Sequence, residues 1–374
     1  METNKTIIVS IGEKKVGELV ISAERRVCFQ YDQNWIKDGY SISPFSLPLR
    51  DEVFYSTKPY YDGLFGVFAD SLPDAWGKIL LQRMLKENKI KIVNLNVLDK
   101  LAIVGSSGMG AIEYHPQYKI NSKIGCELDL DILAEECNKI LYTNYSAAID
   151  ELFLLGGSSG GARPKILTNI DGEDWIIKFN TKVDGNNQGK MEHDYYLCAL
   201  SCGIKMMESK LMPSKLNAGY FATKRFDRVN GKKIHMISAA ALLELDVGAP
   251  SLDYHSLMKL VKILTNNNYE DIEQLFRIMC FNVFAHNRDD HSKNFSFLYN
   301  EEEMKYRLSP AYDLTYSNTY FGEHTTSVDG NGKNPSELEL LNVGLKSGMK
   351  KETCLNIISH IKEKVFEQLK EYLN

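Results

Sequence analysis

The ten residues HNRDDHSKNF, at positions 286–295, decide how the rest of the chain is interpreted. Two aspartates, two histidines, two asparagines, an arginine and a lysine crowd together at the end of an apolar helical pattern. In that pattern, residues 271–286, apolar side chains recur at the spacing of one helix face. Those positions are Ile272, Leu275, Phe276, Met279, Val283 and Phe284. Burial of this face would hold the helix rigid, so the polar residues after it would project from a fixed platform.

A predicted β-hairpin and a further aspartate follow this stretch. The segments FSFLY and MKYRL alternate like strands around a polar turn, and LSPAYDL with Asp313 comes directly after them. Phosphoryl transfer needs a carboxylate for the proton of the accepting hydroxyl, and oxygen ligands that hold Mg²⁺ against the phosphates. Asp289 is therefore the predicted base, and Asn294 and Asp313 are the predicted Mg²⁺ ligands. Protein kinases use the same order along the chain.

The other polar residues of the stretch have several interpretations. His291 and Lys293 lie between the predicted base and the predicted amide ligand, where they could contact phosphate or orient Asp289. A zinc site on His286 and His291 would need more ligands, and no further cysteine or histidine lies near them in sequence. Asp290 is predicted to shape the loop or to face solvent, without acting as a second base.

A glycine-rich stretch, LLGGSSGGARPK at 154–165, precedes a predicted hairpin whose turn is Asp171-Gly172. Such a stretch is often only a flexible loop. It can also bring backbone N–H groups close to phosphate oxygens, and Arg163 and Lys165 would add positive charge beside it. Lys178 follows in the apolar strand WIIKF, either as an edge charge reaching water or as a cation aimed into a site. Together these features predict a triphosphate cradle.

Two more segments match the order of elements in a protein kinase. The helical segment 190–204 carries Glu192, the predicted partner that orients Lys178, with Asp194 as the second candidate. The strand 219–228 then runs toward an Asn230-Gly231 turn, where the hinge of a kinase would offer backbone groups and the Phe226 ring to adenine. Acidic residues near a helix start also have a plain explanation, because they complement the helix dipole.

Composition limits the other classes of function. The chain has 374 residues, enough for two or three domains, and its formal net charge of −5 offers no general basic field for nucleic acid. The first 20 residues lack the pattern of a signal peptide, and no apolar run is long enough for a membrane helix. Seven cysteines without CxxC spacing suit a reducing compartment. A cytoplasmic protein without membrane attachment is expected, with a domain boundary near residues 117–130.

The motifs GGSSGGARPK, WIIKF, KRFDR, HNRDDHSKNFSF and LSPAYDL resemble the successive signatures of the HipA family of serine/threonine kinases, toxins of bacterial toxin–antitoxin pairs. The N-terminal strands, SLPDAWG and GSSGMGAIEY resemble the N-terminal subdomain of that family, so the likeness spans about residues 5 to 350. It implies an α+β, two-lobed protein-kinase-like fold with a β-rich N-terminal subdomain. The implied divisions are residues 1–120 for the subdomain, 121–226 for the N-lobe and 227–374 for the mainly helical C-lobe.

The resemblance also implies roles for individual residues, with ATP and Mg²⁺ as cofactors. Asp289 would be the proton acceptor, Asn294 and Asp313 the metal ligands, and Ser158 the autophosphorylated loop serine, although Ser159 stands beside it. The implied nucleotide contacts are Gly160, Gly161, Ala162, Arg163, Pro164, Lys165, Lys178, Lys224, Arg225, Phe226, His291, Lys293, Asn294, Tyr312 and Asp313. Lys224 departs from the family pattern, in which an acidic residue is common at the hinge.

The implied partners are a helix-turn-helix antitoxin of the HipB type and a protein of the translation machinery, such as an aminoacyl-tRNA synthetase. Operator DNA would be reached only through the antitoxin, and the antitoxin complex could contain a homodimer. Two alternatives remain open on the sequence. One is a small-molecule or lipid kinase, which would use similar acidic residues. The other is a co-repressor that binds nucleotide and antitoxin without kinase activity.

Overall fold

The computed structural model describes residues 4–89, 95–118, 129–143, 149–157, 161–319 and 321–373. Contacts divide the chain into two compact units. The N-terminal unit comprises Met1–Gly189, Leu211–Ile237 and Ala241–Glu244, and the C-terminal unit comprises Lys190–Lys210, Ser238–Ala240 and Leu245–Asn374. The predicted boundary near residue 120 falls among residues outside the described ranges, so the three-part division stays a prediction.

Strands and helices are numbered in chain order. The strands are β1 (Thr6–Ile11), β2 (Lys14–Ile21), β3 (Val27–Tyr31), β4 (Val53–Tyr55), β5 (Ile112–His115), β6 (Lys165–Ile170), β7 (Glu173–Lys178), β8 (Ser209–Met212), β9 (Tyr220–Lys224), β10 (Arg228–Val229), β11 (Lys232–Lys233), β12 (Met236–Ser238), β13 (Leu252–Asp253), β14 (Ser296–Asn300), β15 (Lys305–Leu308) and β16 (Thr326–Ser327). The helices are α1 (Gln33–Asp38), α2 (Gly66–Ala69), α3 (Ala75–Glu87), α4 (Val97–Val104), α5 (Leu130–Thr143), α6 (Ile149–Gly156), α7 (Gln188–Ser201), α8 (Ala239–Leu242), α9 (Tyr254–Leu264), α10 (Tyr269–Phe284), α11 (Glu337–Lys346), α12 (Lys351–Gln368) and α13 (Lys370–Leu373). In the described ranges, none of these helices combines the length and apolar character needed to span a membrane.

The first sheet of the N-terminal unit is antiparallel, with the strand order β4-β3-β2-β1-β5. Its first hairpin turns at Gly12 and Glu13. Ile7 and Val9 alternate with exposed or polar neighbours along β1 and are fully buried, which is the pattern of a strand with one face on a core. Helix α4 follows a capping box in which Asn96 and Asp99 each bond to the backbone of the other, and it leads through the glycine turn GSSGMG into β5.

The GSSGMG turn, residues 105–110, is held by a charged clamp. The carboxylate of Asp227 accepts hydrogen bonds from both Arg225 and Arg228 and from the N–H of Gly110 at 2.6 Å. Arg228 also donates to the carbonyl oxygens of Gly108 and Gly110, at 3.0 and 2.9 Å. The glycine turn is therefore bound to the residues after β9, and its carbonyl groups already accept hydrogen bonds from arginine.

The second sheet has the order β6-β7-β9-β8 and packs on helices α3 and α6. Trp76 and Leu80 from α3, Phe153 from α6, and Ile177 from β7 belong to one continuous buried cluster. The β6–β7 turn contains Asp171 and Gly172, both at positive φ, as a two-residue hairpin turn requires. This core fixes the β6–β7 hairpin and the loop that leads into it.

In the C-terminal unit, the central element is α10, which packs against α9, α11 and α12. Asn268 caps its first turn by accepting from the N–H of Asp271. The predicted apolar face is buried, except that Phe284 at the last position is half-buried. The helix ends at Phe284 with Ala285 as its C-terminal cap, and His286 at φ 52° turns the chain away from the helix axis. The predicted hairpin is confirmed as the antiparallel pair β14–β15.

We expect the substitution Asp227→Asn to lower the free energy of unfolding by about 3–5 kcal/mol, because it leaves two buried guanidinium groups without their counter-charge. Chemical denaturation at neutral pH measures this loss. Burial raises the pKa of Asp227, but Arg225 and Arg228 outweigh it and hold the pKa below its usual range. The advantage of the wild type should therefore be complete above the ordinary carboxyl pKa of 3.8 and be lost as the pH falls through the lowered value.

The matched control is Asp51→Asn, because Asp51 is exposed in the same unit. Its unfolding free energy should stay within about 0.5 kcal/mol of the wild type. Equal stability of Asp227→Asn and the control would show that the clamp contributes no net stabilisation.

Candidate active site

Two lysines face each other across the β6–β7 hairpin. Lys165 and Lys178 are direct partners in the antiparallel register, each six residues from the Asp171-Gly172 turn. Lys165 is buried and Lys178 is half-buried, with its ammonium 5.6 Å from the centre of the Phe221 ring. Directly opposed like charges destabilise a hairpin. A site that brings them together is suited to a polyanion.

The loop before Lys165 is anchored by the start of α3. The N–H of Gly161 donates to the carboxylate of Asp74, and the N–H of Trp76 donates to the carbonyl of Gly161, both at 3.2 Å. Gly161 has φ +91°, and a Cβ there would lie 2.7 Å from Nζ of Lys165. The positive φ favours glycine at this position, and the absence of a side chain lets the Lys165 ammonium lie close to the backbone.

The other residues predicted to form the phosphate loop have different environments. Arg163 donates to Asp184 at 3.2 Å. Pro164 is buried, and its carbonyl accepts from the N–H of Phe179, while Ala162 is exposed. Ser158 and Gly160 lie outside the described residues, so their predicted roles stay predictions.

At the predicted adenine hinge, Arg225 is engaged in the clamp. Its side chain is buried against Asp227, and its N–H donates to the carbonyl of Asp174 at 2.8 Å. A contact from Arg225 to a nucleotide would therefore come from its carbonyl group. Lys224 lies 5.7 Å from the Trp175 ring, and Phe226 is half-buried. The hinge assignment for these residues stays a prediction.

Glu192, the predicted partner of Lys178, is buried in the second turn of α7, since that helix begins at Gln188 and not at the expected residue 190. The two residues belong to different units, and their pairing stays a prediction. Asp194, the second candidate, accepts from the Lys190 ammonium and from the Tyr372 hydroxyl. These contacts tie it to the last helix of its own unit.

The predicted base and the amide ligand are joined directly. The Asn294 side-chain nitrogen donates to the carbonyl of Asp289 at 2.8 Å, which fixes the plane of the amide. The Asp289 side chain is 58% exposed, and one of its oxygens lies 4.0 Å from Nε2 of His291. The carboxylate is thus accessible to a substrate hydroxyl, and His291 is close enough to influence its orientation.

The chain around Asp313 is bonded to this same loop. Asp313 has φ 53°, a strained backbone conformation for an aspartate that is typical of functional sites. Its carbonyl accepts from the side chain of Asn287 at 3.5 Å. The hydroxyl of the neighbouring Tyr312 donates to the carbonyl of Lys293 at 2.6 Å. Hydrogen bonds therefore join the loop that carries Asp289 and Asn294 to the segment that carries Asp313, and the roles predicted for these three residues stay predictions.

These residues fit a magnesium site by their chemistry. Mg²⁺ prefers oxygen ligands and commonly takes only one or two from the protein when it also binds phosphate. Asp313 offers a carboxylate. The bond from the Asn294 amide nitrogen to the loop backbone leaves the amide oxygen as the atom that can bind a cation.

Asp290 has hydrogen-bond partners that the sequence did not reveal. It is 1% exposed, and its carboxylate accepts three hydrogen bonds of 3.0 Å, from the Tyr254 hydroxyl, Nδ1 of His324 and the N–H of Thr326. Of the two predictions for Asp290, loop shaping is confirmed and a solvent-facing position is wrong. Its partners are 34 to 36 residues away on either side, so no local pattern marks them.

Comparison with known proteins identifies two family models along the chain. The HipA N-terminal domain matches residues 7–115, and the HipA-like C-terminal domain matches residues 157–369. A Sinorhizobium fredii protein named as a candidate kinase, Y4mE, is 23% identical over 338 residues, which cover 82% of this chain and 76% of that protein.

A solved structure shares the fold. HipA of Shewanella oneidensis MR-1, solved with HipB and operator DNA, superimposes with a TM-score of 0.73 at 17% identity. The match covers 98% of this chain and 90% of that one. The α+β, two-lobed kinase-like fold predicted from the sequence is thereby confirmed.

We expect Lys178→Met to weaken the binding of inorganic tripolyphosphate by at least about 10-fold, because it removes a charged partner from the polyanion site. The rise in melting temperature with increasing tripolyphosphate measures the affinity of each variant. Lys182→Met is the matched control, since Lys182 is an exposed lysine four residues further on. If both variants were stabilised as strongly as the wild type, the two facing lysines would not form an anion site.

Proposed function

Because the chain belongs to the HipA family, we propose that it is an ATP- and Mg²⁺-dependent protein serine/threonine kinase that acts as the toxin of a HipBA-like pair. One observation supports the activity most strongly. Asp289 and Asn294 lie in one segment of the chain and Asp313 in another, and hydrogen bonds join the two segments. A base, an amide ligand and a carboxylate ligand are the set that phosphoryl transfer requires.

In the proposed reaction, Asp289 accepts the proton of a serine or threonine hydroxyl. The hydroxyl oxygen then forms a bond to the γ-phosphorus of ATP, and the bond to the ADP oxygen breaks. Exposure of the Asp289 side chain suits this role, because the acceptor is a side chain of another protein. The backbone bond from Asn294 holds the residue in place while its carboxylate stays accessible.

The charged groups of the N-terminal unit would bind the phosphates. Lys165 and Lys178 supply two positive charges on one hairpin, and Gly161 lets the backbone approach them closely. Mg²⁺, when bound by Asn294 and Asp313, would neutralise negative charge on the β- and γ-phosphates. Lys224 to Phe226 are the proposed adenine contacts, and Glu192 is the proposed partner of Lys178.

The partners follow from the family. The Shewanella oneidensis HipA was solved with HipB and operator DNA. For this chain we accordingly infer a HipB-type helix-turn-helix antitoxin, with DNA reached only through it. The proposed target is a serine of a protein of the translation machinery, with aminoacyl-tRNA synthetases as the first class to test. Action in the cytoplasm is part of this proposal.

Autophosphorylation of Ser158 is the proposed off switch. A phosphate of about −2 charge in the loop before Gly161 would repel the phosphates of the nucleotide. Asp74, which accepts from the N–H of Gly161, would add to that repulsion and favour release of the loop.

We expect Asp289→Asn to lower the rate of phosphoryl transfer by roughly 10²–10⁴-fold, because the amide cannot accept the hydroxyl proton. Binding of ATP and the melting temperature should change little, since the Asp289 carboxylate is largely exposed. Steady-state transfer from labelled ATP, with autophosphorylation or a synthetase as acceptor, measures the rate.

Glu363→Gln is the control for this experiment, because Glu363 is an exposed carboxylate on α12 of the same unit, outside the proposed site. Wild-type transfer by Asp289→Asn would contradict the assignment of the base. A wild-type chain that binds ATP without transferring phosphate to any acceptor would instead support the co-repressor alternative.

The class of acceptor is tested with labelled ATP and an extract of the host cells. We expect wild-type protein to label a small number of protein bands, and Asp289→Asn to label none of them. Mass spectrometry of phosphopeptides then identifies the acceptor serine, including Ser158 or Ser159 in the chain itself. Label found in lipid or in a metabolite, with none in protein, would favour the small-molecule or lipid kinase.

A further inference from the structure

A continuous path of hydrogen bonds runs behind the proposed catalytic residues. The side-chain nitrogen of Asn287 donates both to the carbonyl of Asp313, at 3.5 Å, and to Oδ1 of Asn282, at 2.9 Å. The nitrogen of Asn282 donates to the Tyr254 hydroxyl at 3.0 Å, and that hydroxyl donates to Asp290. The path thus begins at Asp313, a proposed metal ligand, and ends at Asp290, the neighbour of the proposed base Asp289.

The path is built from buried side chains. Asn282, Tyr254, Asn287 and Asp290 are each at most 2% exposed. Buried polar groups are costly unless they are bonded, and bonded chains of them polarise and strengthen one another. Tyr254 is held as a neutral donor, because burial and the charge of Asp290 keep its pKa well above the usual value.

The segment after Asp313 is tied to the same carboxylate. Nδ1 of His324 and the N–H of Thr326 both donate to Asp290, and the Thr326 hydroxyl donates to its carbonyl. Asp290 is therefore the point where the loop carrying Asp289 is fastened to the chain that follows Asp313. Asp289 itself is exposed, so its position depends on these neighbours rather than on burial of its own side chain.

We propose that Asn287, Asn282, Tyr254 and Asp290 form a positioning network that sets the distance between the base Asp289 and the metal ligand Asp313. These four residues act through the backbone and need not touch the substrate. The inference rests on the proposed function for its effect on catalysis. Its structural part, the coupling of the two segments, is independent of that function.

The test uses Tyr254→Phe, which removes one hydroxyl from the middle of the path and keeps the ring. The first readout is hydrogen exchange of the full-length protein, followed by mass spectrometry. We expect residues 286–294 and 311–319 to lose protection together, while α9 and α12 keep theirs. Protection unchanged in both segments, or lost in only one, would overturn the network as a coupling element.

The second readout separates turnover from binding. We expect Tyr254→Phe to lower kcat by roughly 10- to 100-fold with little change in KM for ATP, since a small displacement of reacting groups costs that much. Tyr114→Phe is the matched control, because Tyr114 is also fully buried and its hydroxyl donates to Ser71 in the N-terminal unit. It should lose comparable stability and keep its kcat.

The outcomes separate this inference from the proposed function. A kcat for Tyr254→Phe equal to that of the control, in an active kinase, overturns the positioning role alone. A wild-type chain without kinase activity overturns the proposed function, and hydrogen exchange still decides whether the network couples the two segments. If Tyr254→Phe does not fold, Asn282→Ser breaks the same path two bonds from Asp313 and is measured in the same way.

Discussion

The buried carboxylate of Asp290 is the interaction on which the polar half of the C-terminal unit depends. A charged group at this depth is stable only if several donors satisfy it, and the donors here come from the start of α9 and from the segment after Asp313. Once they are bound, the loop that begins at His286 has little freedom. The strained backbone at His286 and Asp313 is held by these contacts and by the rigid helix α10.

A comparable constraint operates in the N-terminal unit, where charge is concentrated at two places. The clamp of Arg225, Asp227 and Arg228 neutralises itself and fastens the GSSGMG turn. The facing lysines of β6 and β7 place two positive charges in direct register on one hairpin.

Several elements of the fold could be predicted from the local sequence. The turn at Asp171-Gly172, the helical face of α10 and the β14–β15 hairpin follow from short-range patterns. The roles assigned to Asp289, Asn294 and Asp313 from their order along the chain stay predictions. A two-residue turn also fixes the register of the hairpin, so the pairing of Lys165 with Lys178 could be predicted from the sequence. The hydrogen-bond partners of Asp290 and the bond from Gly110 to Asp227, 117 residues apart, are tertiary contacts that leave no local signal.

A crystal structure of the chain with Mg²⁺ and a non-hydrolysable ATP analogue tests the central claim most directly. We expect a metal ion bound by the Asn294 amide oxygen and the Asp313 carboxylate, phosphates against Lys165 and Lys178, and Asp289 facing the terminal phosphate. A nucleotide bound away from the two lysines, or a metal ion held by other side chains, would contradict it.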